Sequence, residues 1–507
     1  REYAAPRDEV EEKLAGIWAG VLGIAGSGSK VGIDDNFFEM GGHSLKATTL
    51  VYRVYKELNV NIDIEEVFSN PTIRELARRI KDLDKQEYVG ITPVEKKEYY
   101  KLSYAQRRLW VLCQFEEDST AYNMPAAVTI TGRFEVEDFE YAVQTLTERH
   151  DGLRTIFILI AGDPHQKIIP TRDFKIDFKE IDLRELDEKS KEQEARTIYL
   201  ELANRAFNLE QGPLFCFRIL RIDEEKFFLF YNIHHIVSDG WSQGNINNDI
   251  VMLYNSFLSE SKTSPPALNL QYKDYTIWHN ELIESGSFFE ARQYWLEKFA
   301  DRPNGIELPL DHSRKPVQTF NGGRVSFTID DAVTSGLHRL SLEKDVTLFM
   351  TLLTLLDVFL AKYTGQEDII IGAPIAARKN PDLYPLVGFL VNTLVYRSRV
   401  DAGDSFVDLL SAVKKETLSC FENQDYPFDL MIEELGLDRD LSQSPVFNVM
   451  LAHNNADTEN IDLTMEGIAV SDYPYREDFN MSKFDLIFFM DERADHVVVR
   501  IEYNSDL

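Results

Sequence analysis

The sequence predicts a multidomain chain in which a small all-α unit precedes a much larger two-lobed α/β region. Three observations point there. At 507 residues the chain exceeds what one hydrophobic core organises. Near Lys101 the texture changes from helix-period patterns to alternating, strand-like runs interleaved with helices. Between the two textures lies DLDKQEYVGITPVEKKEYY, polar, charged and with little periodicity. The expected division is a helical unit over 1–83, a linker over 84–101, a first lobe over 102–275 and a second over 276–507.

Taken in order, residues 8–22 place Val10, Leu14, Ile17, Trp18, Val21 and Leu22 on one helical face, with acids in the first turn. A Gly/Ser-rich loop leads through Asp34, Phe37 and Phe38 to MGGHS, and a second helical pattern runs from Ser44 to about Leu58. EEVFSNPTIRELARRI adds a short helical turn and a last helix opened by Pro71-Thr72, so the unit reads as four helices. In the larger region AAVTITGRF, KFFLFYNI, RVSFTI, DIIIGAPI and HVVVRIEY read as strands. EDFEYAVQTLTERH, NINNDIVMLYNSFL and DYTIWHNELIESG read as helices, with the lobe boundary beside the last. LFMTLLTLLDVFLAKY is broken by Thr351, Thr354 and Asp357 and is shorter than the ~20 apolar residues of a membrane span, so a buried helix is expected.

A formal net charge of −31 repels phosphate backbones and anionic bilayers, which argues against nucleic acid or membrane as a partner. Cys113, Cys216 and Cys420 lie far apart in apolar surroundings, with no CxxC pair or Cys/His cluster. Buried, reduced thiols, no metal site and a cytoplasmic protein are the expectation. The chain opens without methionine and stops at IEYNSDL where a further helix is expected, so it reads as part of something larger.

Two segments carry chemistry. In GGHS, glycines let backbone approach a bulky group and the start of a helix favours a phosphate, so Ser44 suits a phosphodiester-linked arm. The same serine equally suits a plain helix cap, and the tetrapeptide leaves both readings open. KFFLFYNIHHIVSDGWS runs from an apolar strand into a loop holding His234, His235, Asp239 and Gly240. Alternation along a strand lets only one of the two histidines face a given cavity. A lone histidine there would be structural; two of them followed by Asp-Gly point to a site.

With VEEKLAGIWAGVLG, DDNFFEMGGHSLKA and FSNPTIRELA, the first unit resembles the peptidyl carrier protein domains of nonribosomal peptide synthetases over nearly its whole length. The resemblance implies that Ser44 receives 4'-phosphopantetheine from a separate phosphopantetheinyl transferase, and that the arm's thiol holds an aminoacyl or peptidyl thioester. It leaves Asp34, Phe37 and Phe38 to loop packing, and makes Met40 and Leu45 candidates for an apolar patch gripped by partners. The HHxxxDG pattern of His234–Gly240 is similar to the signature of condensation domains in the same synthetases. SYAQRRLW, RHDGLRTIF, YKDYTIW, IGAPIAAR, VGFLVNTLVYR, NQDYPFDLMIEEL and RDLSQSPVFNVM agree with that family in order.

This second resemblance implies two lobes, each like chloramphenicol acetyltransferase, set in a V around a tunnel where a donor thioester meets an acceptor amine to form an amide. His235 would stand at that meeting point, as general base or as a group that orients the amine or steadies the oxyanion. Asp239 would be structural and paired with an arginine, either Arg154 or Arg378. His234 and Trp241 would shape the loop, Gly240 would leave room for the reacting carbonyl, and Asn392 is a tunnel candidate. The sequence departs from the family at Ala377, where glycine or asparagine is usual, and at Asp429, where glutamate is usual. The implied partners are an upstream adenylation domain, since no P-loop or dinucleotide fingerprint is present, and a downstream acceptor carrier or a free amine. An epimerisation domain shares the HHxxxDG loop, but its carriers more often read GGDS; a degenerate docking platform should have lost the second histidine or the Asp-Gly pair.

Overall fold

The computed structural model describes residues 3–24, 30–115, 120–258, 265–437, 442–454, 465, 467–475, 479–493 and 495–507, with the side chain of Leu45 also outside the described set. Four helices make up the first unit: α1 (Glu9–Leu22), α2 (Ser44–Leu58), α3 (Ile64–Ser69) and α4 (Ile73–Lys81). Each boundary has a local cause. Asp8 caps α1 by accepting from the N–H groups of Val10 and Glu11, and Gly23 ends it at φ 76°. Thr72 caps α4, with Pro71 just before it. Leu14, Ile17, Trp18 and Leu22 of the predicted face are buried with Phe37, Leu50, Val54 and Leu76, while Val10 and Val21 pack at the edge. Trp18 meets Phe37 edge to face at 5.1 Å. Asp34 is held by Arg74 at 2.6 and 2.8 Å, which closes the loop onto α4.

The linker forms no helix, yet it is anchored: the Gln86 N–H donates to the carbonyl of Asn59, and the Tyr88 ring packs edge to face on Tyr52 and Tyr55 of α2. The first lobe is built on a five-stranded sheet in the order 468–472, 123–132, 226–234, 215–223, 177–182. The second is built on a six-stranded sheet in the order 392–399, 368–375, 449–454, 486–492, 497–504, 322–329. The strand Ile468–Asp472 pairs antiparallel with Asn123–Gly132, so a segment late in the chain returns to complete the first lobe's sheet. A division at 275/276 therefore misses that strand. It also falls inside a helix, because Tyr272–Glu284 is continuous. Periodicity reads local pattern and has no signal for a strand that crosses between lobes.

Helix Leu348–Thr364 is buried along most of one side, as its composition predicted, and no single described helix is long and apolar enough to cross a membrane. Cys216 and Cys420 are buried; Cys113 is only half-buried and its Sγ lies 3.8 Å from His234 Nε2, a departure from the expectation of three buried thiols.

Candidate functional site

Ser44 is the first residue of α2, and the cap position belongs to His43, so the helix-cap reading of the serine fails on geometry. Its side chain is buried, and Oγ has no hydrogen-bond partner among the described residues. A buried hydroxyl left unpaired costs about 1–3 kcal/mol, and with no competing hydrogen bond among the described residues this one is uncommitted to the protein itself. The two glycines before it answer to the loop itself. Gly41 sits at φ 91°, and a Cβ on Gly42 would lie 2.4 Å from the Phe37 ring.

The unit docks on the larger region through α2. Thr49 Oγ1 and Tyr384 Oη are 2.5 Å apart, and Lys56 Nζ reaches Asp382 at 2.8 Å. Tyr88 of the linker hydrogen-bonds Tyr52 and takes a bond from Asn380 Nδ2 at 3.3 Å. The contacts to Tyr384, Asp382 and Asn380 join residues more than 280 positions apart, so local spacing held no sign of them. Met40 is half-buried against the core rather than standing free as a patch.

Strand Lys226–His234 delivers the paired histidines, and the chain then makes a short 3₁₀ turn, His235–Val237, before helix Gly240–Leu258. That helix starts earlier than its apolar pattern indicated, so Gly240 and Trp241 belong to its first turn. The two imidazoles part as strand alternation requires. His234 is buried, its Nδ1 accepting from the Ile236 N–H at 3.1 Å and its Nε2 beside Cys113. His235 is half-buried, and its Nδ1 donates to the Ser238 carbonyl at 2.8 Å, which leaves the lone pair on Nε2. The Phe389 ring meets it edge to face at 4.9 Å. Burial, then the Lys483 ammonium, push the His235 imidazole down to about 3 against the opposing pull of Asp239. Burial does the same to His234. Both rings are therefore neutral at physiological pH.

Asp239 is buried and takes five donors: Nη1 and Nη2 of Arg378 at 3.0 and 3.1 Å, and the N–H groups of Ser242, Leu390 and Val391 at 2.8, 2.9 and 3.1 Å. Burial raises its pKa, but the Arg378 charge and these bonds outweigh it, and the net direction is down. Of the two candidate arginines, Arg378 is the partner. Arg154 instead bonds Asp151 at 2.6 Å and the carbonyls of Thr147 and Ile169, within its own lobe. The Asp239–Arg378 pair ties the histidine loop of one lobe to the 386–391 segment of the other.

Trp241 stacks under the Arg378 guanidinium at 5.7 Å and donates to the Tyr384 carbonyl at 3.0 Å, the same residue whose hydroxyl touches Thr49. Gly240 faces the cavity, and a Cβ there would meet no protein atom within 4 Å. Asn392 lines a second cavity that shares Ala377, Val391 and Gln424 with the wall of the first. Its amide donates to the carbonyls of Gln424 and Tyr426 at 3.0 Å each and accepts from the N–H groups of Thr393 and Phe428, so it also braces the NQDYPF loop beside that space.

The two departures from the family pattern have visible structural consequences. Ala377 has φ 50°, the left-handed region that glycine and asparagine tolerate. Asp429 pairs with Arg108 of the SYAQRRLW helix, bridging the lobes with the shorter acid.

A cavity of about 1150 Å³ brings these parts together. Its wall includes Ser44 and His43 of the helical unit, His235, Asp239 and Gly240 of the first lobe, and Arg378 of the second. Orphaned Oγ, helix start and open cavity together fit a phosphate-linked arm at Ser44.

Residues 96–507 match the model of the Condensation domain family, and residues 12–80 match that of the Phosphopantetheine attachment site. The chain belongs to the condensation domains of nonribosomal peptide synthetases, here preceded by a phosphopantetheine-binding carrier. Gramicidin S synthase 2 of Brevibacillus brevis is 38% identical over 506 residues, which is 100% of this chain and 11% of that protein. Bacitracin synthase 3 of Bacillus licheniformis is also 38% identical over 506 residues, and this chain spans 8% of its length. Among solved structures, the X-domain from teicoplanin biosynthesis superposes with TM-score 0.74 at 21% identity, over 83% of this chain and 92% of that one. A four-domain nonribosomal peptide synthetase bound to AMP and glycine gives 0.72 at 20% identity, over 82% and 32%. These likenesses bear on the fold, a pair of lobes of the chloramphenicol acetyltransferase kind.

Proposed function

We propose that this chain forms an amide bond, the carrier presenting an acyl thioester from Ser44 to the cavity of its own condensation domain, where an acceptor amine attacks beside His235. One observation carries the reading: Ser44, its Oγ buried and unpaired among the described residues, lines the same cavity as His235. The arm, once attached by a phosphopantetheinyl transferase, supplies the thiol that holds the acyl group. Everything else falls to residues of this chain.

An α-amine has a pKa of about 7.7–8.0, so roughly a tenth or more is neutral at pH 7 and no strong base is needed to generate it. His235 Nε2 accepts the hydrogen bond of the incoming amine, because Nδ1–H is committed to Ser238. That bond aims the nitrogen lone pair at the carbonyl carbon. A half-buried imidazole beside Lys483 resists staying imidazolium. As the C–N bond forms and the thioester C–S bond breaks, His235 therefore passes the proton lost by the amine to the departing thiolate of the arm, which leaves as a thiol. Most of the acceleration comes from holding two tethered reactants together, worth up to ~7–11 kcal/mol in favourable cases, with proton transfer adding ~10²–10⁴-fold. Asp239 and Arg378 hold the loop without touching the reactants. The partners we infer are an adenylation domain that loads the arm and an acceptor carrier or small amine. The free cysteines favour a reducing compartment, the cytoplasm.

The test is intact-mass measurement of the loaded chain mixed with a loaded acceptor carrier or a small amine. Wild type transfers its acyl group to give a new amide; His235→Ala retains loading on Ser44 and loses transfer. Amide formation by His235→Ala at the wild-type rate sinks the assignment. A racemised thioester in place of an amide would mark epimerisation.

A further inference from the structure

Where the second lobe faces the docked carrier, three elements converge. Strand Val449–Asn454 brings His453, strand Leu486–Glu492 brings Glu492, and helix Asp331–Glu343 brings His338. The Glu492 carboxylate lies between the two histidines, 3.4 Å from His338 Nε2 and 3.5 Å from His453 Nε2. The His453 side chain is 8% exposed, and at 3.5 Å its Nε2 makes a long, poorly aligned contact with that carboxylate. All three residues line the cavity with His43 and Ser44 of the carrier. Burial raises the Glu492 carboxyl, and His453, then His338, then His43 across the domain junction bring it below its ordinary value.

The acidic side chains on that cavity wall are Glu39 of the carrier itself, Asp239 and Glu492. Asp239 is consumed by Arg378 and three backbone N–H groups. Glu492 is thus the carboxylate of the condensation domain on that wall left outside the Arg378 pair, sharing the cavity with His43 and Ser44. Opposed like charges at a docking surface suppress wrong partners, whereas an imidazole is accepted in either protonation state.

We propose that Glu492 is a specificity-determining residue of the donor face: it reads the side chain preceding the arm-bearing serine, accepting His43 and rejecting a carboxylate there. The inference rests on the proposed presentation of Ser44 to this cavity. His338 and His453 hold the carboxylate in place toward the carrier.

The test crosses His43→Asp with Glu492→Gln in the full chain. Aspartate is a good helix cap, so α2 folds in the variant, and intact mass verifies that Ser44 still takes its arm. Two readouts are used. One is single-turnover acyl transfer to a small amine per loaded chain. The other is independent of chemistry: the rate of disulfide trapping between cysteines placed at Thr49 and Tyr384. His43→Asp is expected to lower both about tenfold with Glu492 present, and Glu492→Gln to restore both while altering the His43 chain about twofold or less. An equal loss from His43→Asp in both backgrounds overturns the proposal, as does an unchanged trapping rate in His43→Asp. A wild type that traps and discriminates in this way but makes no amide sustains the Glu492 assignment and sinks the proposed reaction instead.

Discussion

Asp239→Asn gives the sharpest test of how the site is held. The carboxylate spans two lobes, and Arg378 opposite it is fully buried, with 0% of its side chain exposed. Asparagine offers one acceptor oxygen where five donors converge, and turns an NH₂ group toward N–H groups that need acceptors. The guanidinium is then left without its counter-charge. Removing one partner of a buried pair costs about 3–5 kcal/mol, whereas removing both with apolar replacements is often close to neutral. The expectation is a loss of about 3–5 kcal/mol for Asp239→Asn, a similar loss for Arg378→Met, and a double variant less destabilised than the sum by about 3 kcal/mol.

Urea titration followed by tryptophan fluorescence measures this, with hydrogen exchange at 386–391 to separate opening of the lobes from global unfolding. The pH dependence gives a second check. Asp239 has a folded pKa below its unfolded value of about 3.9, so its contribution is present above that pH and is lost as pH falls through the folded value. The gap between wild type and Asp239→Asn should therefore stay level from about pH 8 to 5 and close only below about 4. Additive single losses of under about 1 kcal/mol, or a gap that closes near neutrality, would refute the reasoning.

Three further outcomes follow from particular residues. With the His235 pKa held down at about 3, the transfer rate against pH should show an acid limb set by the acceptor amine near about 8 and none from His235 between about pH 5 and 7; a limb near about 6.5 that vanishes in His235→Ala contradicts this. Lys483→Met removes the second cause of that depression, so an imidazole NMR titration should place His235 higher than in wild type but still below about 6.5, because burial, the first cause, persists; a downward or absent shift rejects the role given to the cation. Ala377→Gly should stabilise the second lobe by about 1 kcal/mol in denaturant melts, by releasing a left-handed alanine, and a destabilised variant would mean the strain lies elsewhere.

Much of the local structure was legible from residue order alone. The face of α1, the extent of α2, the buried helix Leu348–Thr364 and the strand Asp368–Ile375 follow from apolar period and caps, which act over a few residues. HHxxxDG was likewise legible as a candidate site, because a paired-histidine loop keeps its groups side by side in the chain, whereas GGHS alone left a helix cap equally open and needed the flanking resemblance. Choosing Arg378 over Arg154 required the tertiary structure, since the ion pair closes across 139 positions and two lobes. So did moving the lobe boundary out of helix Tyr272–Glu284 and finding strand Ile468–Asp472 in the first sheet. Tyr384 and Asp382 carry no motif at all; the docked α2 reaches them through Thr49 and Lys56. The sequence by itself brought the candidate chemical groups into view, because that depends on short-range pattern. Which groups hold them in place was decided only by the fold, because burial, pairing and docking join residues that the chain keeps far apart.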